Sequence, residues 1–426
     1  ARVRQRPPGL CRPHGFDVTV PEVDAGGADD PIRSFYEQHP YPPPVDDLAP
    51  TLEAWRDGRR RRVEHLRTWP ERPQVDDPTI LVAGCGTSQA AAYAARYPEA
   101  RVVGIDVSSA GLAANAALAE RHGLDRVTLA QTPVEQVGEL GETFDLVICT
   151  GVLHHLQDPL AGLRALRGVV ALGGALRLMV YATHGRVGVT MLQEYCRRLG
   201  IGPTVDEVDE LAASLRELPA HHPMAHLLRE TPDFHDRDAL ADALLNPRER
   251  SYTVPELLQT LDGVGFRFER WVRQAPYLPH CGSLSEVPHG ERIAALPPAE
   301  QYAAVELFRG TMLRHSVVAR RDDDPAPSPA VRFDDESWRD HVPVLSPTVA
   351  AIEDRLPPGA AVAVLDRAHT DPDLVLFLDA DDKHRFEQID GQRPMGEIAS
   401  TPDLFRRLWW HDHILVDTSA ATVGRR

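Results

Sequence analysis

An α/β fold organised around a parallel sheet is what this sequence predicts, and three observations carry the prediction. Short apolar runs recur from Thr79 onward, beginning with Ile80-Leu81-Val82-Ala83, Val102-Val103-Gly104-Ile105 and 144–149. Helical stretches lie between them, such as the alanine-rich 89–96 and the segment 109–122. Strands alternating with helices of about 10–15 residues need crossover connections, and these bury a parallel sheet on both faces. Two further strand candidates, 266–272 and the β-branched 313–319, follow 127–130 and 175–180 and suit a seven-stranded sheet that closes in an antiparallel hairpin.

Taken in order, residues 1–30 are rich in Pro, Gly and Asp and are expected to form a loose arm. An aromatic and proline-rich stretch, Ser34 to Pro43, precedes a helical pattern over 48–69 that carries Arg59 to Arg62. Four consecutive arginines span every face of a helix, so a solvated surface helix is expected there. Residues 186–250 break the strand–helix rhythm and read as a helical insertion over the ligand edge of the sheet. The rhythm returns with a helix over 253–261, N-capped by Thr253 with Pro255 close behind. A charged, proline-bearing linker at 322–336 separates a domain at 31–321 from a small α/β domain at 337–426, which holds strands at 361–365 and 374–378, a helix at 384–389 and a last helix through Leu408.

Bulk properties narrow the partners. The 426 residues carry 63 acidic against 46 basic side chains, a net −17 that disfavours nucleic acid. Lys383 is the single lysine, and the Arg, Ala and Pro bias suggests a GC-rich bacterial genome. Five scattered cysteines show no CxxC spacing, so neither a disulfide framework nor a zinc ribbon is indicated. No apolar run approaches the ~20 residues of a membrane span, and a cytoplasmic location is expected. His221, His222, His226, His235, His280, Cys281 and His289 fit no familiar ligand spacing, so no metal is expected.

Chemistry concentrates in three places. At Ala83-Gly84-Cys85-Gly86-Thr87-Ser88 a strand runs into a glycine turn and then a helix, which lets backbone approach a ligand and aims helix amides at it. About twenty residues later the second strand ends in Asp106, placed to accept hydrogen bonds from the ribose hydroxyls of an adenosine-type cofactor. These two marks are shared by SAM (S-adenosylmethionine) and nicotinamide sites. The third is Phe144-Asp145-Leu146-Val147, followed by Gly151-Val152-Leu153-His154-His155-Leu156.

Jointly, and with Leu172-Gly173-Gly174 before the fifth strand, these motifs resemble the small-molecule-like branch of class I SAM-dependent methyltransferases. The resemblance implies a seven-stranded Rossmann-like sheet, SAM as cofactor, and a cofactor site at Gly84, Gly86, Thr87, Asp106, Thr132, Thr150, Gly151 and Val152. The sequence departs from the family where Val82 replaces an acidic residue, Ser88 replaces the third glycine, and Thr132-Pro133 stands where an acid often follows the third strand. His155 and His154 lie where the family places its active-site mouth and are candidate general bases; packing around the loop is the competing reading. Tyr36 and Tyr41 resemble an N-terminal cover seen in relatives, and with Tyr181 and Tyr277 they are candidate acceptor-binding residues.

The expected reaction is methyl transfer to an O, N or C nucleophile of a small-molecule or peptide acceptor. A SAM-binding module without catalysis and a nicotinamide-dependent oxidoreductase remain open beside it. Residues 386–399 resemble a short motif of winged-helix domains related to peptide-recognition proteins of the PqqD kind, with a purely stabilising domain as the alternative.

Overall fold

The computed structural model describes residues 30–74, 77–230, 234, 236–325 and 331–419. The expected loose arm up to residue 29, His235 and part of the expected linker lie outside the described residues.

Seven strands form the central sheet: β1 (Thr79–Ala83), β2 (Arg101–Asp106), β3 (Val127–Gln131), β4 (Phe144–Thr150), β5 (Val170–Tyr181), β6 (Phe266–Trp271) and β7 (Arg314–Arg321). Their spatial order is β3-β2-β1-β4-β5-β7-β6. β1 to β5 pair in parallel, and β7 runs antiparallel to both β5 and β6. Connections leave β1 and β4 toward opposite edges, so the crevice at the carboxyl ends of these two strands is the switch point where such sheets take ligands. Two apolar clusters cover the sheet. One contains Leu81, Val147 and Leu178, the other Ile80, Val82 and Ile148, as expected for strands buried on both faces. Val82 sits fully buried in the second cluster, so this departure from the family pattern places a methyl-bearing side chain in the core.

Three helices precede the sheet: α1 (Pro31–Gln38), α2 (Ala49–Trp55) and α3 (Gly58–Thr68). The helix expected over 48–69 is therefore two, because Asp57 restarts it by accepting from the Arg59 amide at 2.9 Å. Between strands lie α4 (Gln89–Arg96), α5 (Ser109–Arg121) and α6 (Pro159–Val169). β5 begins earlier than its apolar run: the Leu172-Gly173-Gly174 segment is part of it, with a register shift against β4 between Phe144 and Leu146. Gly173 takes φ +79, and a Cβ there would stand 2.6 Å from the Arg72 guanidinium.

The insertion is helical: α7 (Val187–Leu199), α8 (Val205–Leu215), α9 (Pro223–Glu230) and α10 (Arg237–Leu245). Its apolar core takes in Phe35 of α1, which ties the N-terminal helix to the insertion. α11 (Val254–Asp262) opens with a full capping box between Thr253 and Glu256. α12 (Gly290–Ala294) and α13 (Pro298–Arg309) then lead back to β7.

Residues 331–419 have their own core, including Phe333, Trp338, Phe405 and Leu408. β8 (Val342–Leu345) pairs antiparallel with β12 (Ile414–Asp417), and β9 (Val349–Ile352), β10 (Val362–Asp366) and β11 (Val375–Leu378) form a second small antiparallel sheet. α14 (Ala380–Phe386), α15 (Met395–Ile398) and α16 (Asp403–Trp410) complete the unit. It packs on α3, where Val63 and Leu66 meet Val344 and Leu415. The arginine run is thus not wholly solvated: Arg62 pairs with Asp417 at 2.8 Å and also donates to the Gly391 carbonyl.

Candidate active site

The glycine turn after β1 is shaped by its neighbours. Gly84 and Gly86 adopt φ +68 and +52, and the amides of Gly84 and Cys85 both donate to the Ile105 carbonyl, at 2.8 and 2.9 Å. A Cβ on Gly84 would stand 2.2 Å from a Val152 methyl, and one on Gly86 2.6 Å from the Tyr41 carbonyl oxygen. Gly84→Ala is therefore expected to cost about 2–4 kcal/mol in a urea melt, combining left-handed strain with overpacking.

Asp106, at the end of β2, faces this turn. Its carboxylate accepts from the Gly86 amide at 2.8 Å and the Ser108 amide at 2.9 Å. A carboxylate offers about four lone-pair positions, so two remain for hydroxyl donors in the cavity. Burial pushes the Asp106 carboxyl above its usual range, with the backbone donors acting against that rise. Thr132 donates its amide to the Asp106 carbonyl at 3.0 Å, and Thr132, Thr150, Gly151 and Val152 line the same cavity. Thr87 is placed differently. Its buried hydroxyl donates to the Pro42 carbonyl at 2.6 Å, holding the arm that follows α1 against the turn, and it is not on the cavity wall. Glu37 pins α1 itself to the start of α5 by accepting from the Ser109 amide at 2.7 Å.

The histidine pair divides in the same way. His155 lines the cavity and shares a 2.7 Å hydrogen bond between Nδ1 and the Arg248 carbonyl. A carbonyl only accepts, so Nδ1 carries the proton and Nε2 of the neutral ring is the basic nitrogen. His154 is buried behind it, stacked on Tyr181 with ring centroids 4.0 Å apart and both ring nitrogens without partners. Burial, then the His155 and Arg186 charges, push His154 well below its usual range.

Of the four tyrosines, all line the cavity. The Tyr36 hydroxyl donates to Asp242 at 2.8 Å and accepts from Asn246 at 3.1 Å. Tyr181 lies under the Arg186 guanidinium, 3.6 Å from the ring centroid, and Arg186 is held by both oxygens of Glu249 at 2.9 Å. Tyr277 stacks flat on Trp271 with centroids 3.8 Å apart, and its hydroxyl is 2.8 Å from His315 Nδ1. Tyr41 places its carbonyl against Gly86.

Asp106, His155 and the four tyrosines border one cavity of about 1530 Å³. Sequence reading missed part of its wall, namely Arg177 and Met179 on β5, Arg314 and Ser316 on β7, and 368–372 from the C-terminal unit. Arg177 and Met179 alternate with Tyr181 along β5, so a period of two in that strand was the available signal. Among the described residues, no three His, Cys, Asp or Glu side chains are grouped to hold a metal ion, and no helix is long and apolar enough to cross a membrane.

Comparison with known proteins gives these features a family. A model described as a methyltransferase domain matches residues 81–176, the stretch from β1 into β5. The uncharacterized protein syc1184_c of Synechococcus sp. is 31% identical over 286 residues, covering 65% of this chain and 68% of its own length. The ubiquinone biosynthesis O-methyltransferase of Ruegeria pomeroyi is 36% identical over 95 residues, 22% of this chain and 38% of that enzyme. The chain is a SAM-dependent methyltransferase. The methyltransferase also shares its fold with PKMT2 from Rickettsia typhi, solved in complex with AdoHcy, at a TM-score of 0.61 and 12% identity over 84% of this chain and 75% of that one. SAM is the cofactor, and the residues present suit it: open acceptor positions on the Asp106 carboxylate and a turn where backbone borders the cavity.

Proposed function

We propose that the methyltransferase methylates an O, N or C nucleophile of a small metabolite or peptide, with His155 as the group that takes the acceptor's proton. Bound SAM supplies a methyl group already activated by its sulfonium. Gly84, Gly86, Asp106, Thr132, Thr150, Gly151 and Val152 hold it at the β1–β4 switch point, and the chain's remaining task is to orient an acceptor and exclude water. The observation that carries this reading is the continuity of one cavity from Asp106 to His155, Tyr36 and Tyr181. His155 is preferred over His154 because its Nε2 is basic and borders the cavity, whereas His154 is buried off the wall with its basicity suppressed. Tyr36 is fixed by Asp242 and Asn246, and its phenol is pushed well above the usual range by burial, which suits a positioning donor better than a base.

His155→Asn is expected to lower kcat about 100-fold with an acceptor found by screening metabolites and peptides, while SAH (S-adenosylhomocysteine) affinity stays unchanged. An unchanged kcat would remove His155 from the chemistry.

The same reading assigns the methyltransferase domain to 31–321, the insertion to 186–250, and a separate module to 337–426, supported by the distinct apolar core of the last segment. Its helices α14 to α16 followed by the paired β12 support comparing it with winged-helix modules that present a peptide.

A further inference from the structure

We propose that the far lobe of the cavity is an oxyanion subsite for the acceptor, where Arg273 and Arg314 hold a carboxylate or phosphate of the molecule being methylated. The inference rests on the reading that the acceptor shares this cavity with SAM.

Strand register builds the lobe. Tyr181 on β5 stands directly opposite Arg314 on β7, and Met179 opposite Ser316, so these side chains share one face of the sheet. The Val272 amide donates to the Ser316 carbonyl at 2.9 Å, which carries β6 alongside and delivers Arg273 to the same edge. The 368–372 loop of the C-terminal unit forms the opposite wall. At about 1530 Å³ the whole cavity exceeds the roughly 300–1,000 Å³ that one small ligand occupies, leaving room for an acceptor beside SAM.

Charge then selects what the lobe receives. The neighbouring cations are taken: Arg177 by Glu64, Arg67 by Glu64 at 3.8 Å, Arg309 by Asp373 at 3.0 Å, and Arg270 by Asp412 at 3.7 Å. The nearby carboxylates are likewise engaged. Asp412 accepts from the Gln274 and Ala275 amides at 2.8 and 2.9 Å, Asp366 from the Ala368 amide at 2.8 Å, and Asp371 from the Thr311 hydroxyl at 3.3 Å. Among the described residues, Arg273 and Arg314 make neither a hydrogen bond nor an ion pair, in a chain with 63 acidic side chains against 46 basic ones. Arg273 is half-buried, and burial, then Arg67, push its guanidinium below its usual range, with Asp366 and Asp412 acting in the opposite sense without reaching ion-pair distance. An unpaired, partly desolvated cation costs folding free energy, and a planar two-pronged donor is suited to repaying that cost by binding an oxyanion. His369 borders the lobe on the loop side. Its Nε2 donates to the His411 carbonyl at 3.3 Å, leaving a buried Nδ1 lone pair.

The carboxylate of SAM itself is the competing source of an oxyanion, and calorimetry separates the two. SAH-loaded protein would be titrated with inorganic phosphate and with benzoate, in the wild type and in Arg273→Gln, Arg314→Gln and the double variant. The expected result is saturable binding of at least one probe, weakened about tenfold or more by each single substitution. SAH affinity should hold in every variant, and the melting temperature of Arg273→Gln should match or exceed that of the wild type. The better-bound probe indicates whether the acceptor carries a carboxylate or a phosphate. A tenfold loss of SAH affinity in the variants would assign the arginines to the cofactor and overturn the proposal. So would probe binding that is absent or indifferent to both arginines. Failure of the wild type to bind SAH would instead strike the cofactor placement on which the proposal rests.

Discussion

Asp106→Ala is expected to weaken SAH binding by two to three orders of magnitude, measured by calorimetric titration. Hydrogen bonds to a charged group contribute about 1.5–3 kcal/mol each, and the substitution removes two acceptor positions open to the ribose hydroxyls. It also strips partners from the Gly86 and Ser108 amides, so the turn loses part of its support. The pH dependence has a definite sign. Because burial raises the Asp106 carboxyl, its contribution to the free protein's stability is present below the ordinary aspartate range and is lost as pH rises through the raised value. SAH affinity should run the other way, falling as pH drops through that value and an acceptor becomes a protonated carboxyl. Affinity independent of residue 106 would remove Asp106 from the cofactor site.

Glu64→Ala is the second large effect, on stability rather than binding. Glu64 of α3 pairs with Arg177 of β5 between the sheet and α3, with side chains only 12% and 13% exposed. Removing the acid leaves Arg177 buried and unpaired, which is expected to cost about 3–5 kcal/mol in urea denaturation. Glu64→Gln with Arg177→Met should recover much of that loss, since a buried pair exchanged for apolar contact is often neutral. Burial alone would raise the Glu64 carboxyl, but Arg177 and Arg67 more than offset this and hold it at about 2. The folded value lies below the ordinary 4.5, so the contribution is present above 4.5 and is lost as pH falls toward 2. The difference is worth about 3 kcal/mol. Urea midpoints at neutral pH and near pH 3 should show this loss in the wild type and little of it in the double variant.

The cofactor half of the molecule was legible because its signals are contiguous. The β1 run, its glycines and Asp106 fall within thirty residues, and local backbone geometry alone decides where they go. The far lobe of the cavity was not. Arg177, Arg273, Arg314 and His369 come from four distant segments, and only the β5–β7 register and the docking of the C-terminal unit bring them together. β8, β9 and β12 escaped sequence reading because each is four residues long and lacks the unbroken five-residue apolar run, Leu374 to Leu378, that marked β11. The break between α2 and α3 was a missed signal of another kind: Asp57-Gly58 is a helix start inside an apparently continuous pattern. Thr87 shows the limit of carrying over a motif, since its neighbour Pro42 claims the hydroxyl that the pattern would give to a ligand.

β12 lies at the far end of the described chain, yet its partner surface is α3, near the beginning, where Arg62 meets Asp417 and Thr418 donates to the Pro70 carbonyl at 2.8 Å. α3 also carries the glutamate that neutralises Arg177. Removing the unit that contains β12 would therefore uncover Val63 and Leu66 of α3 and take away the 368–372 wall of the cavity in one step.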